Sequence, residues 1–405
     1  MYNLQMQSKI PEVVIIGAGF GGVYTARHLA RLAKAGQIKL TIISREGYFL
    51  FTPLLHEVAT GGLSPRSIVE PLAEIFRGNN FDVVKAEVRE VDFEQQLVKV
   101  DSNSYSYDYL VLATGGENNF YGIPGLAENT IGLKTLSDAV YLRNTIISFI
   151  KGGKKDLVFT VIGGGATGVE LVAELIELVK EAGREFDTTN IKVCLIAGGD
   201  NLIPQFPQKV RQVATNILRQ KGVEIIFKQK VVEMDNNTII LDDDSRLWSD
   251  LTVWTGGIKP ASTQFSSLSK NEGGRILTNN FLHLNNRPEV YILGDVSVID
   301  ESPLPMLAQV AVQQGLLVAK NIAANIRGVK PKPFVYHSKG ILLSLGHGKA
   351  VGYLGGLVFS GWFMWWLWRT VYLFNFISPR KRLRIASEWT INLFYPRDIS
   401  CLENI

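Results

Sequence analysis

The chain has 405 residues, 46% apolar and 20% charged, enough for two or three domains with their own cores. Its net charge of +4 is too small to indicate a nucleic-acid partner. Two cysteines, Cys194 and Cys401, form no CxxC pair, which argues against a disulfide framework or dithiol chemistry, and the five histidines show no metal-ligand spacing, so no metal site is expected.

The opening stretch MYNLQMQSKIPE has no apolar h-region, and no secretory signal is expected from it. The first element is a short apolar run, Val13 to Ile16, which reads as a buried parallel strand. It leads into a GxGxxG pattern, Gly17, Gly19 and Gly22, and then into a helix with apolar spacing through Tyr24, Leu29 and Leu32. Glycines at that spacing make a tight turn, admit a pyrophosphate to the backbone and let helix and strand pack closely. YDYLVLATGG is a later apolar strand, ending in Thr114, Gly115 and Gly116.

The pattern then recurs. A strand at Val158 to Ile162 leads into Gly163, Gly165, Gly168 and a helix; IKVCLIAGG supplies the next strand, and DLTVWTGGIKP repeats the closing one with Thr255, Gly256 and Gly257. Two fingerprints imply one dinucleotide per domain, with electrons moving between them. Cys194 lies inside an apolar strand and reads as a packed core thiol. Farther on, EVYILGDVS is a strand ending at Gly294 and Asp295, an acid placed to bond a ribityl or ribose hydroxyl. In AQVAVQQG, Gln309 and Gln313 stand at i and i+4 on one helical face, where Ala308, Ala311 and Val312 keep the surroundings small.

Near the end, GWFMWWLWRTVYLFNF sits in a stretch from Leu357 to Ile377 whose single charge is Arg369. It is long enough to span a bilayer. A span would put RKRLR, Arg380 to Arg384, on the side away from the nucleotide domains, against the positive-inside tendency. A helix lying in the interface removes the conflict and is preferred to a span and to a core or dimer contact. Trp362, Trp365, Trp366 and Arg369 then share one face, Ser378-Pro379 turns the chain, and the basic cluster meets anionic headgroups. Ile385, Trp389 and Leu393 form an apolar face on a second helix.

The order GAGFGG, LVLATGG, VIGGGATGVE, WTGG, YILGD is similar to that of flavoproteins with two dinucleotide-binding domains. With GYFLFTPLLHEVATGGLSP, PLPMLAQVAVQQG and the aromatic-basic tail, nearly the whole chain resembles the type II NADH dehydrogenases, single-subunit NADH:quinone oxidoreductases. The resemblance implies an α/β fold of two Rossmann-like domains plus C-terminal amphipathic helices. The FAD domain is expected to be discontinuous (1–150 and 271–345), with the NAD(P)H domain inserted (151–270) and a membrane-association region following (346–405).

It also implies non-covalent FAD, with its pyrophosphate on Gly17, Gly19 and Gly22, Ser44 and Arg45 at the adenosine ribose, the Val88 backbone at the adenine, Thr114 and Gly115 along the flavin, and Asp295 on the ribityl chain. Gly163, Gly165 and Gly168 would hold the NADH pyrophosphate, with Gly256 and Gly257 nearby. Glu170, read on the first turn of its helix where the dipole favours a carboxylate, would lie near the nicotinamide and flavin rings. Ala308 and Gln309 would flank the flavin, and Gln309 and Gln313 would hold a quinone carbonyl, because uncharged amides bind it without favouring a competing charge.

The sequence departs from the family pattern in two places. Ser44 stands where an acid commonly binds the ribose, and Ala197 replaces the usual Glu of an NADH site, with Asp200 nearby. Relaxed use of NADH and NADPH is expected, NADH slightly favoured. The lack of a cysteine pair sets the chain apart from glutathione-reductase-like and sulfide:quinone relatives. The expected protein is a peripheral, non-proton-pumping enzyme on the cytoplasmic face of a membrane, with quinone and lipid as partners, no nucleic acid, and a homodimer as a candidate assembly. The alternatives are a slow-turnover flavoprotein serving redox-linked binding or sensing, and a reductase of a small electron-carrier protein.

Overall fold

The computed structural model describes residues 9–397 except 79–80, 102, 155, 187–189, 262–264, 266 and 301; Cys401 and residues 1–8 lie outside the described residues. In chain order the elements that matter begin with β1 (Glu12–Ile16), α1 (Phe20–Lys34), β2 (Lys39–Ser44), α2 (Leu55–Ala59), β3 (Phe81–Lys85) and β4 (Tyr109–Leu112). Then come β5 (Asp156–Ile162), α3 (Ala166–Phe186), β6 (Asn190–Ala197), α4 (Gln208–Lys221), β7 (Glu224–Phe227) and β8 (Leu251–Trp254). The last part holds β9 (Arg287–Ile292), α5 (Ala308–Ile326), β10 (Ile341–Ser344), β11 (Ala350–Leu354), β12 (Leu357–Gly361), α6 (Trp362–Asn375) and α7 (Pro379–Ile391).

Two compact units emerge. The first comprises the described residues of Met1–Phe49, Glu70–Glu117 and Lys259–His337. Its main sheet runs in the order His283–Leu284, β9, β4, β1, β2, β3. Strand β1 is central and parallel to both neighbours, with Val13 opposite Leu40 on one side and Tyr109 on the other. That position explains the uninterrupted apolar run Val13 to Ile16, every residue of which is buried. Helices α1 and α5 pack closely against one another at Gly21 and Gly315. A Cβ added at Gly315 would stand 2.6 Å from the Gly21 carbonyl oxygen. The Thr25 hydroxyl fastens the crossing by donating to the carbonyls of Gly21 (2.9 Å) and Gly315 (3.3 Å).

The second unit comprises Leu50–Val69, Asn118–Ile258 and Ser338–Ile405, again for their described residues. Its parallel sheet runs Ile131–Gly132, β8, β5, β6, β7. Cys194 lies in β6 opposite Thr160, buried among Ile162, Ile196 and Trp254, and burial pushes its thiol up to about 12. The thiol is a packed core group, as its strand position predicts.

The aromatic stretch is not one long helix. Leu357–Gly361 is the edge strand of the antiparallel sheet β10–β11–β12, and α6 begins only after Gly361, whose φ of 95° breaks the strand. Among the described residues no helix is long and apolar enough to cross a membrane. Helix α6 lies close on β11 because Gly352 has no side chain: a Cβ there would collide with Met364. This packing corrects the face predicted from spacing. Trp365, Trp368 and Arg369 turn into the unit, whereas Trp362, Phe363 and Trp366 face outward.

Gly315→Ala is expected to destabilise the protein by about 1–3 kcal/mol through overpacking of the α1–α5 crossing. A denaturation midpoint equal to wild type would show that the two helices separate freely.

Candidate functional site

In the first unit, the predicted cofactor residues gather at the carboxyl ends of adjacent parallel strands, where open α/β sheets bind ligands. Gly17 follows β1, Ser44 ends β2, Thr114 and Gly115 follow β4, and Asp295 follows β9. Gly17 holds a φ of 102°, and a Cβ at Gly22 would collide with the Gly17 carbonyl. Gly19 caps α1 without a side-chain hydrogen bond and has open space where a Cβ would stand. The turn thus offers a helix N-terminus without a side-chain cap, and room beside it, which suits a pyrophosphate. The Thr114 hydroxyl donates to the Ala261 carbonyl at 2.7 Å, fixing the strand end beside the turn. Ala86 donates its N–H to the Ser44 carbonyl at 3.0 Å, bringing the segment that leads to Val88 alongside β2, with Arg45 exposed beyond.

Ala308 and Gln309 open α5, and both are half-buried. Gln313, one turn on, exchanges two hydrogen bonds with the His337 backbone: its amide nitrogen donates to the carbonyl (2.9 Å) and its oxygen accepts from the N–H (3.1 Å). The neighbouring Gln314, which sequence reading passed over, is buried and accepts the Gly294 N–H at 2.7 Å. It therefore orients the turn that carries Asp295. The doubled glutamine before Gly315 was the only signal for it.

The second unit repeats the turn. Gly163 has a φ of 125°, a Cβ at Gly168 would collide with the Gly163 carbonyl, and Gly165 has open space. Thr255 closes the turn by donating from its hydroxyl to the Ile162 carbonyl at 3.1 Å. Gly256 and Gly257 follow, with room for a Cβ denied by the rings of Trp254 and Tyr121. Ala197 ends β6, buried, at the position from which an acid would reach the ribose.

Glu170 lies one turn farther into its helix than predicted. Helix α3 starts at Ala166, so Glu170 gains little from the helix N-terminus. It is buried instead, and burial pushes its carboxyl up to about 8, against the opposing effect of a hydrogen bond from the Ser344 N–H at 3.1 Å. His56 Nδ1 lies 3.9 Å from its other oxygen, and burial holds the imidazole down to about 3. Near neutral pH the contact therefore joins a carboxylic acid and a neutral ring, not an ion pair. His56 Nε2 and Ser344 Oγ, both buried, meet no hydrogen-bonding partner among the described residues. The surroundings of Glu170 thus keep unused polar capacity.

Sequence reading also missed the charged cluster behind this acid. Glu57 accepts the Trp389 indole N–H at 2.7 Å, and burial, reinforced by Glu174, pushes it up to about 7. Arg397 bridges Glu174 (2.8 Å) and Glu177 (3.0 Å), with Glu181 at 3.5 Å. The Arg369 guanidinium stacks 3.7 Å over Trp365 and 5.0 Å from Trp389. The partners come from α2, α3, α6, α7 and the segment after α7, and no local spacing announces such a cluster.

The basic run is partly engaged within the unit. Lys381 donates to the Arg66 carbonyl, Arg382 to the Phe376 carbonyl, and Arg384 pairs with Glu388, while Arg380 and Arg384 remain exposed. Of the apolar face expected on the second helix, Ile385 and Trp389 are buried within the unit, and Leu393, past the end of α7, is half-buried. The outward face of α6 and its surroundings is apolar: Trp362, Phe363 and Phe374 are each about two-thirds exposed (65%, 69% and 65%). Among the described residues no cluster of His, Cys, Asp or Glu could hold a metal ion.

Two strand–glycine turn–helix units define a protein built to hold two dinucleotides. Comparison with known proteins agrees. The pyridine nucleotide-disulphide oxidoreductase family profile matches residues 11–315, and the NDH2 C-terminal domain profile matches residues 338–398. The type II NADH:quinone oxidoreductase of Mycobacterium tuberculosis is 30% identical over 95% of this chain and 89% of its own length. That of Staphylococcus haemolyticus is 27% identical over 86% and 91%. In fold, the chain is similar to the solved structure of NDH2 from Plasmodium falciparum in complex with NADH (TM-score 0.89, 19% identity, covering 97% of this chain and 100% of that one). The chain belongs to the pyridine nucleotide-disulphide oxidoreductase family and, within it, to the type II NADH:quinone oxidoreductases.

The Glu170 carboxyl rises from its ordinary 4.5 to about 8 on folding. Across that window the folded chain keeps a proton that the unfolded chain releases, so stability falls as pH rises and the loss is complete above about 8. Glu170→Gln removes the effect: its melting temperature should fall less than that of wild type between about pH 6 and about pH 9. Equal falls would mean that Glu170 is ionised in the folded protein.

Proposed function

We propose that this chain takes two electrons from NAD(P)H through FAD to a membrane quinone, without pumping protons, while lying on the cytoplasmic face of the membrane. It is an FAD-dependent NAD(P)H:quinone oxidoreductase, as its family is. The doubled glycine turn carries this reading: each unit has a glycine turn leading into a helix N-terminus of its own, one for each dinucleotide. The first unit would hold FAD and the second NAD(P)H.

When bound, FAD supplies hydride acceptance from the nicotinamide and two-electron return to the quinone. Gly17, Gly19 and Gly22 would hold its pyrophosphate, Ser44, Arg45 and the Val88 backbone its adenosine end, and Asp295 its ribityl hydroxyls. Thr114, Gly115, Ala308 and Gln309 would line the ring. Gly163, Gly165 and Gly168 would take the NAD(P)H pyrophosphate, with Gly256 and Gly257 beside it. Both NADH and NADPH are accepted. Glu170, protonated near neutral pH, holds one of the two protons that quinol formation needs. Gln309 and Gln313 hold the quinone carbonyl; beyond its pair with His337, the Gln313 amide keeps one N–H and one lone pair.

The outward face of α6 rests on the membrane. Trp362, Phe363, Trp366 and Phe374 enter the interface, and the exposed Arg380 and Arg384 meet anionic headgroups.

NADH should bleach the purified yellow protein and a short-chain quinone should restore the colour rapidly; a long-lived reduced protein would point to sensing rather than turnover. Replacing Gln309 and Gln313 with Ala should raise the quinone KM roughly tenfold and leave bleaching by NADH unchanged. Slowing of the NADH step alone would overturn the glutamine assignment. On the membrane side, Trp362→Ser with Phe363→Ser and Phe374→Ser should release the protein from anionic vesicles in flotation, each apolar side chain contributing about 1.5–3 kcal/mol when buried. Full retention would place the lipid contact elsewhere, and a change of oligomeric state would assign this face to a second copy.

A further inference from the structure

The missing acid at Ala197 leaves open what the ribose end of the NAD(P)H site recognises. The ends of the neighbouring strands answer it. β7 pairs in parallel with β6 so that Phe227 stands opposite Ala197, which puts the residues after Phe227 beside the end of β6. Those residues are Lys228, Gln229 and Lys230. Lys228 adopts a left-handed backbone (φ 58°) and donates its N–H to the Gly199 carbonyl at 3.2 Å. The Lys230 stem passes 3.5 Å from where a Cβ at Gly198 would stand. Both lysines are exposed, and both sit where the adenosine ribose of a dinucleotide on this sheet would lie.

We propose that Lys228 and Lys230 form a recognition site for a ribose 2′-phosphate, and so set how well NADPH competes with NADH. This rests on the reading of the second unit as the NAD(P)H site. Three acids lie nearby. Asp242 accepts the Lys230 backbone N–H (3.0 Å) and Asp243 accepts from the Gln229 amide (2.9 Å), so the lysine loop itself engages both. Asp200 pairs with the Lys228 ammonium at 3.4 Å, with both side chains largely exposed. An exposed pair of this kind is weak, so a phosphate dianion reaching two ammonium groups displaces Asp200 at little cost. Ala197 adds no carboxylate to repel that phosphate and none to bind the 2′-hydroxyl of NADH. The segment just after β6 contains no Lys or Arg; the cations come from the next strand, and only pairing of the strands brings them together.

The test measures binding to the FAD-loaded protein of two probes that differ only in the 2′-phosphate: AMP and adenosine 2′,5′-bisphosphate. Wild type should bind the bisphosphate more tightly than AMP. Lys228→Ala with Lys230→Ala should weaken the bisphosphate roughly tenfold and change AMP less than about twofold, and Asp200→Asn should strengthen the bisphosphate alone. The proposal is overturned if wild type does not prefer the bisphosphate, if the lysine variant leaves the preference intact, or if it weakens both probes equally. Flavin bleaching by NADH in the same preparations separates the two readings. Lysine-dependent preference without bleaching leaves the phosphate site standing and removes the oxidoreductase reading; bleaching without the preference does the reverse.

Discussion

A carbonyl with no side chain in front of it organises both units. In each, the first glycine of the turn points its carbonyl at the third, where a Cβ would collide with it. Only this contact lets the following helix start against the strand it has just left. Its N-terminus then lies at the carboxyl edge of the sheet, where the first N–H groups have no partner within the helix. The threonines that follow the closing strands, Thr114 and Thr255, secure that edge through backbone carbonyls. The remaining site residues occupy the ends of strands whose order the sheet has already set.

Around this frame the second unit gathers charge of a kind that cores normally exclude. Glu57, Glu170, Glu174 and Arg369 are all buried, and Arg397 binds Glu174 and Glu177 of α3 most closely. Burial drives Glu57 and Glu170 toward the protonated form, while Arg397 keeps a direct partner for Glu174. Neutralisation and pairing are two ways of avoiding the same desolvation cost, and both operate within a few residues of one helix. Removing Arg397 would leave Glu174 and Glu177 without their guanidinium, which makes this residue a structural tie between α3 and the segment after α7.

The glycine turns, the threonine closures and Asp295 were legible because each depends on residues adjacent in sequence and on a backbone geometry that few residue types allow. So was the core thiol of Cys194, which an apolar strand encloses whatever packs on it. Glu170 was placed a turn too early in its helix, since the glycine pattern does not say where the helix begins. The orientation of α6 was misjudged for a different reason. Spacing groups Trp362, Trp365, Trp366 and Arg369 on a face, but the partner that decides which tryptophans are buried is a sheet reached through Gly352, and a guanidinium can be held by two indoles as readily as by water. The cluster of Glu57, Glu174 and Arg397 and the lysine pair near Ala197 were invisible because their members meet only when separate elements pack.

The guanidinium of Arg369 has one more consequence. Wedged against Trp365 and near Trp389, it fastens α6 to α7 from below, while Met364 seats α6 on β11. The outward aromatic side chains therefore stand on a helix that is already formed and anchored. Many amphipathic segments are coils in water and fold only on contact with lipid, losing ordering entropy as they do so. On the proposed lipid contact no such loss would be incurred: the aromatic surface is already formed, and the shape of the folded unit would set how deep it sinks.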